Sequence, residues 1–214
     1  MTKASEDILQ ATIEEHPMLS SCQKDIESAF YTLIASYRNN GKTLLCGNGG
    51  SAADCDHIAG ELLKGFLHIR PINDVVKFSL LNFGAQGSYI ADKLQSALPC
   101  ISLTSHTALN LAFSNDVDPL LIFAQQTLAF GNRNDVLWAL STSGNAENVH
   151  YAVVTAKAIG MKTIGLTGKE GGKLLADCDV CICVPDDRTY RVQEYHIPVY
   201  HALCAMLESE MFTC

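Results

Sequence analysis

The sequence predicts an α/β domain: a five-stranded parallel sheet covered by helices on both faces, preceded by a helical segment over residues 1–40. Two observations carry that prediction. Five short apolar runs, at residues 42–46, 100–104, 135–140, 162–167 and 180–184, alternate with segments of helical character, and such alternation lays strands parallel and buries them on both faces. Three of the runs end at turns rich in glycine or hydroxyls, GNGGS, STSGN and TGKEGG. Those turns fall beyond the carboxyl ends of the strands, where open α/β sheets bind ligands.

In chain order, Ile8, Ile13 and Met18 belong to a first amphipathic segment that His16-Pro17 perturbs. A second runs from Ser21, a plausible cap, through Ile26, Phe30, Leu33, Ile34 and Tyr37 to a stop at Asn40-Gly41. Its apolar stripe needs a partner in the later core or in another subunit. After the first strand, helices or helical turns are expected over residues 51–63, 107–113, 119–128, 146–159 and 172–176. The last helix starts near Tyr190, and Pro198 is expected to weaken or kink it, because proline lacks an amide and crowds the carbonyl four residues back.

Composition bounds the function. With 214 residues, 48% hydrophobic and 18% charged, the chain forms one domain with a sizeable core and no need of disulfides. A net charge of −8 argues against a protein whose task is gripping nucleic acid, while leaving room for a local anion pocket. The polar, acidic start and the lack of any run near the ~20 apolar residues that cross a bilayer point away from the membrane and to the cytoplasm. Nine scattered cysteines suit reduced thiols. Cys178, Cys181 and Cys183 read as buried strand thiols rather than a metal knuckle, since no second cysteine pair stands at zinc spacing.

The chemistry concentrates at the strand ends. In GNGGS, Gly47, Gly49 and Gly50 let the backbone turn with exposed amides, and a helix N-terminus and the Ser51 hydroxyl follow. The spacing is neither the dinucleotide fingerprint nor the Walker loop. His57 and Glu61, four residues apart, share one face of the next helix. Ser141, Thr142 and Ser143, with Gly144 and Asn145, offer uncharged donors to a phosphate; they could equally cap a helix, but two such loops at one sheet edge favour an anion site. Gln193 and His201, two turns apart, can face one cleft with Ile197 and Tyr200, His196 pointing elsewhere. Taken alone, His201 is also readable as a core histidine.

The pieces CGNGGSAADCDHIAGELL, LSTSGNAENV, IGLTGKEGGKL and RVQEYHIPVYH, in this order and spacing, resemble the sugar isomerase (SIS) domain family, and within it the phosphoheptose isomerases. The resemblance covers nearly the whole chain. It implies a flavodoxin-like αβα sandwich (SIS fold), a homotetramer with active sites shared between subunits, and a small-molecule sugar phosphate as substrate. The implied reaction interconverts sedoheptulose 7-phosphate and D-glycero-D-manno-heptose 7-phosphate through an enediol. Carried over by position, Glu61 matches the general base and His201 the acid. Asn48, Gly49, Gly50, Ser51, Ser141, Thr142, Ser143, Asn145 and Gln193 match substrate and phosphate contacts. Some members hold zinc, and the matching ligands are His57, Glu61, Gln193 and His201.

Three positions depart from the family: Ala146 replaces a serine, Gly65 an arginine and Tyr190 an aspartate. An insertion of about 25 residues, spanning 72–98, exceeds an ordinary connection, with a helix expected over Tyr89 to Ala97. It is too small for its own core and is expected to act as a specificity element lying on the parent fold or a neighbouring subunit. Two other readings compete with an isomerase. A non-catalytic SIS scaffold, like the relative that associates with the bacterial replication initiator, lacks the base that this chain has in Glu61. A phosphosugar-sensing module would carry a DNA-binding segment ahead of the domain, and none is read here.

Overall fold

In the computed structural model, which describes residues 1–212, helix α1 (Lys3–Glu15) leads through a 3-10 turn (Pro17–Cys22) into α2 (Gln23–Arg38). There follow β1 (Thr43–Gly47), α3 (Gly50–Leu63), α4 (Asp74–Leu81), α5 (Gly84–Lys93), β2 (Cys100–Ser102), α6 (Thr107–Asp116) and α7 (Ile122–Phe130). The rest is β3 (Val136–Leu140), α8 (Glu147–Ala158), β4 (Lys162–Thr167), α9 (Gly172–Asp177), β5 (Val180–Cys183) and α10 (Thr189–Phe212).

All pairings are parallel and the strand order is β2-β1-β3-β4-β5. This is the flavodoxin-like order, so the topological switch point lies beyond the carboxyl ends of β1 and β3, where GNGGS and STSGN begin. The pleat sends alternate side chains to opposite faces. Leu45, Val136, Trp138 and Leu140 pack with α1, α2, α3 and α10 on one face, and Leu44, Leu137 and Ala139 pack with α7 and α8 on the other.

The apolar stripe of the N-terminal helices finds its partner within the chain, since α1 lies along α10 and α2 packs on β5 and α10. Thr2 caps α1 by accepting from the Ser5 amide. Ser21 does not cap α2 as the sequence suggests. Pro17 starts a 3-10 turn that runs directly into the helix, and the Ser21 hydroxyl donates to the Met18 carbonyl inside that turn. The stop at Asn40-Gly41 is as expected. Asn40 adopts φ +57°, and a Cβ at Gly41 would collide with the Asn134 carbonyl. The helix α10 runs on through Pro198.

The insertion holds two helices where one is expected further along. Asn73 caps α4 by accepting from the Val76 amide, and α5 crosses it where Gly87 approaches the Leu80 carbonyl too closely for any side chain. The segment after Lys93 is extended rather than helical because Gln95 bridges Pro71 in antiparallel fashion and accepts from the Gly65 amide. Both ends of the pair are therefore pinned at one point. No residue of α4 is buried, and Val75, Phe78, Phe83 and Tyr89 are exposed.

Candidate active site

Strands β1 and β3 end side by side, with Gly47 opposite Leu140. The two loops that leave them, together with Thr189 and Gln193 from the first turns of α10, enclose a cavity of about 290 Å³. Asn48, Gly49, Gly50, Ser51, Ser141, Thr142 and Ser143 all line it. None of its lining residues is charged, so an anion there would be held by hydroxyls, amides and the N-terminal end of α3. The turn has this form because Gly49 takes φ +55° and because a Cβ on Gly50 would collide with the Gln193 amide. Asn48 is fixed by a reciprocal pair of amide hydrogen bonds with Asn148, 2.8 and 2.9 Å. Ala146 also lines the cavity, one hydroxyl fewer than a serine would give.

Asn145 lies apart from this group. Its side chain accepts from the Lys173 amide and donates to the Ser143 carbonyl, tying STSGN to the loop before α9. Gly144 is the other half of that tie, since a Cβ there would meet the Gly171 carbonyl.

Two turns further along α3 stands the titratable cluster. His57 Nε2 is 3.3 Å from Glu61 Oε1 and 3.5 Å from His201 Nε2, which α10 supplies. Glu61 is mostly buried. Its Oε2 makes no hydrogen bond, with the Lys64 ammonium 3.6 Å away. Burial and the neighbouring His57 lower the His201 pKa, with Glu61 opposing, which favours the neutral ring. Phe66 lies against the His201 ring, centroids 5.5 Å apart. As placed, the described residues contain no closed metal-holding group of three or more His, Cys, Asp or Glu. The eight described cysteines are free, Cys178, Cys181 and Cys183 among them. His196 faces the core, as expected from its place on the helix. Neither ring nitrogen makes a well-formed hydrogen bond, and burial pushes its pKa down to about 4.

A buried ion pair joins the helices that carry Glu61 and His201. Arg70 donates to Glu208 Oε1 at 2.6 Å and to the carbonyls of Leu62 and Glu61 at 2.8 and 3.1 Å, so it caps the C-terminal end of α3. The Glu208 carboxylate also accepts from the backbone amides of Phe66, Leu67 and His68. Burial opposes its ionisation, but those amides and Arg70 prevail and hold its pKa below the usual range. Neither residue is among those read from the sequence as functional, because their pairing spans 138 positions. Of the departures from the family, Gly65 is enforced locally, since a Cβ would strike the His68 carbonyl, while Tyr190 is exposed beside Arg188.

Larger cavities of about 550 and 580 Å³ lie at the opposite edge of the sheet, near Asn134, and contain none of these groups.

Comparison with known proteins agrees with the fold. Residues 86–168 match the SIS domain family. A phosphoheptose isomerase of Rhodospirillum rubrum is 39% identical over 193 residues, 90% of this chain and 89% of the relative. One of Clostridium acetobutylicum is 41% identical over 189 residues, 88% of this chain and 84% of the relative. Among solved structures, the phosphoheptose isomerase of Neisseria gonorrhoeae superposes with a TM-score of 0.73 at 32% identity, covering 94% of each chain. Relatives alike over nearly their full length and a shared five-stranded fold lead to one conclusion: the chain belongs to the phosphoheptose isomerase family of SIS-domain proteins.

Proposed function

We propose that the protein is an aldose-ketose isomerase that interconverts sedoheptulose 7-phosphate and D-glycero-D-manno-heptose 7-phosphate. The observation that carries this reading is an uncharged cradle of hydroxyls and amides set on the same two helices, α3 and α10, as the Glu61 and His201 pair. The hydroxyls of Ser51, Ser141, Thr142 and Ser143 and the amides of the turn hold the phosphate. Asn48 and Gln193 border the sugar. Glu61 takes the proton from the carbon next to the carbonyl and returns it to the former carbonyl carbon, while His201 gives its hydrogen to the carbonyl oxygen and takes up that of the neighbouring hydroxyl, so that both groups are restored.

Zinc suits these side chains. Glu61 Oε2 is orphaned, and His57 Nε2 stands 3.3 Å from Glu61 Oε1 and 3.5 Å from His201 Nε2. Those three, with Gln193, would hold the ion. When bound, it supplies polarisation of the substrate oxygens, and Glu61 as a ligand would be a weaker base. Incubation with sedoheptulose 7-phosphate is the test. A heptose 7-phosphate is expected from it and none from unphosphorylated sedoheptulose; no isomer from any ketose or aldose phosphate would contradict the proposal.

Ser141→Ala and Ser143→Ala are each expected to weaken substrate binding by about 1 kcal/mol or more, because each leaves a phosphate oxygen without a donor. Calorimetric titration with the sugar phosphate checks this, and unchanged affinity in both variants would reduce STSGN to a helix cap.

A homotetramer with active sites at its interfaces, working in the cytoplasm, completes the proposal. In its support, α4 and α5 present Val75, Phe78, Phe83 and Tyr89 outward, and no helix among the described residues is long and apolar enough to cross a membrane. The insertion is proposed to tune substrate choice, as its anchors at Gly65 and Pro71 follow directly on the helix of Glu61. Replacing residues 73–93 by a short Gly-Ser linker is expected to leave a folded protein with an altered ranking of sugar phosphates. An unchanged ranking would make the insertion a surface embellishment.

A further inference from the structure

Among the described residues, the two helices of the insertion pack chiefly on each other. They hold 8 and 10 residues, fewer than the about 12–15 at which a helix holds by itself in water. Phe78, Phe83 and Tyr89 are 65%, 71% and 67% exposed. Since a buried aromatic side chain covers about 150–250 Å², these three leave roughly 400 Å² of apolar surface open. Val75, Leu81 and Leu94, also exposed, bring the patch towards the ~800 Å² per partner that a stable interface covers.

A groove of complementary character opens at the root of the same hairpin. It holds about 460 Å³ between α1 and α10, and Ile8, Ile197, Pro198, Phe66 and Leu67 give it apolar walls. Glu15 and Glu194, both exposed, line it too, and so does His201. The protomer's own hairpin does not fill it. No residue of 72–94 lines the groove, and the Gly65 amide and Pro71, both meeting Gln95, pin the hairpin's ends.

We propose that the groove receives the α4–α5 hairpin of a second copy of this chain, and that the exchange is reciprocal. Phe66 and Leu67 belong to the loop that leads from α3 into the hairpin, so groove and hairpin are neighbours on one protomer. A two-fold axis then lets each copy fill the other's groove, a closed contact rather than an open chain. Charge permits the approach. The chain carries −8, but residues 72–94 set Lys77 and Lys93 against Asp74 and Asp92, so the hairpin brings no net charge to Glu15 and Glu194 and offers them two ammonium groups. The second copy also completes the site. His201 faces this groove as well as His57, and a phenyl ring of the incoming hairpin, seated against Phe66, would keep water from reaching His201 by that side. The catalytic meaning rests on the isomerase reading; the docking does not.

The test uses the full-length protein with a photoreactive side chain, Phe78→p-benzoylphenylalanine. Illumination is expected to give a species of two-chain mass on a denaturing gel, and its peptides are expected to join position 78 to residues 8–16 or 194–205. Two further variants alter exposed positions and so leave the fold intact, which circular dichroism checks: Phe78→Asp with Phe83→Asp in the hairpin, and Ile197→Asp in the groove. Each is expected to reduce the assembled mass in light scattering by about half, one two-fold contact being lost. Each is also expected to lower kcat about 10- to 100-fold. No link to the groove of a second chain, links that join hairpin to hairpin, or an unchanged assembled mass in both variants would overturn the proposal. The expected links in a protein that isomerises no sugar phosphate would instead overturn the functional reading alone.

Discussion

Glu61→Gln is expected to lower turnover by two orders of magnitude or more while leaving the fold intact, on the scale of losing a general base in proton transfer. The substitution preserves the shape of a mostly buried side chain beside His57 and removes only its ability to take a proton. Its effect on folding is expected to be small, because Glu61 Oε2 makes no hydrogen bond. The measurement is kcat with the favoured sugar phosphate, set against a denaturation midpoint for both proteins. Near-normal kcat would show that Glu61 is not the base.

The second large effect is on stability. Arg70 and Glu208 are fully buried, 0% and 1% exposed at their side chains, and removing one partner leaves the other charged and unpaired, a loss of about 3–5 kcal/mol. Glu208→Leu also strips the acceptor from the amides of Phe66, Leu67 and His68, so the loop that packs on His201 loses its anchor. Arg70→Met frees the carbonyls that end α3. The double variant is expected to lose less than the sum of the two, since it buries no lone charge. Urea denaturation of the four proteins reads this directly. Losses under about 1 kcal/mol for both single variants would contradict the assignment of the pair as the clamp between α3 and α10.

The sequence was most informative where the physics is local. Strands show as apolar runs ended by glycine, and β4 spans the predicted residues 162–167. The cradle was legible because GNGGS and STSGN each declare an amide-rich turn, and parallel topology does the rest by bringing Gly47 next to Leu140. His57 and Glu61 share a face by helical spacing alone. What escaped depends on contacts between distant segments. Arg70 and Glu208 lie 138 positions apart in the chain, and only the fold places them together. Asp54 and Tyr200 are 146 residues apart, and no local pattern links a tyrosine hydroxyl to a carboxylate on another helix. Asn145 illustrates the reverse, a residue in the expected loop whose side chain is drawn to the Lys173 amide by a neighbouring turn. The α4 cap at Asn73 was readable in principle, but the exposed apolar residues after it obscured the period.

The central claim is that Glu61 moves a carbon-bound proton between adjacent carbons of a phosphorylated sugar. Incubating the protein with sedoheptulose 7-phosphate in deuterated water, followed by mass and proton spectra of the recovered sugars, tests it most directly. The account predicts a heptose 7-phosphate carrying deuterium at the carbon next to its carbonyl, and no incorporation with Glu61→Gln. Isomer formed without deuterium exchange would leave a shielded proton as its explanation only if Glu61→Gln abolished it; isomer formed at a normal rate by that variant would contradict the account.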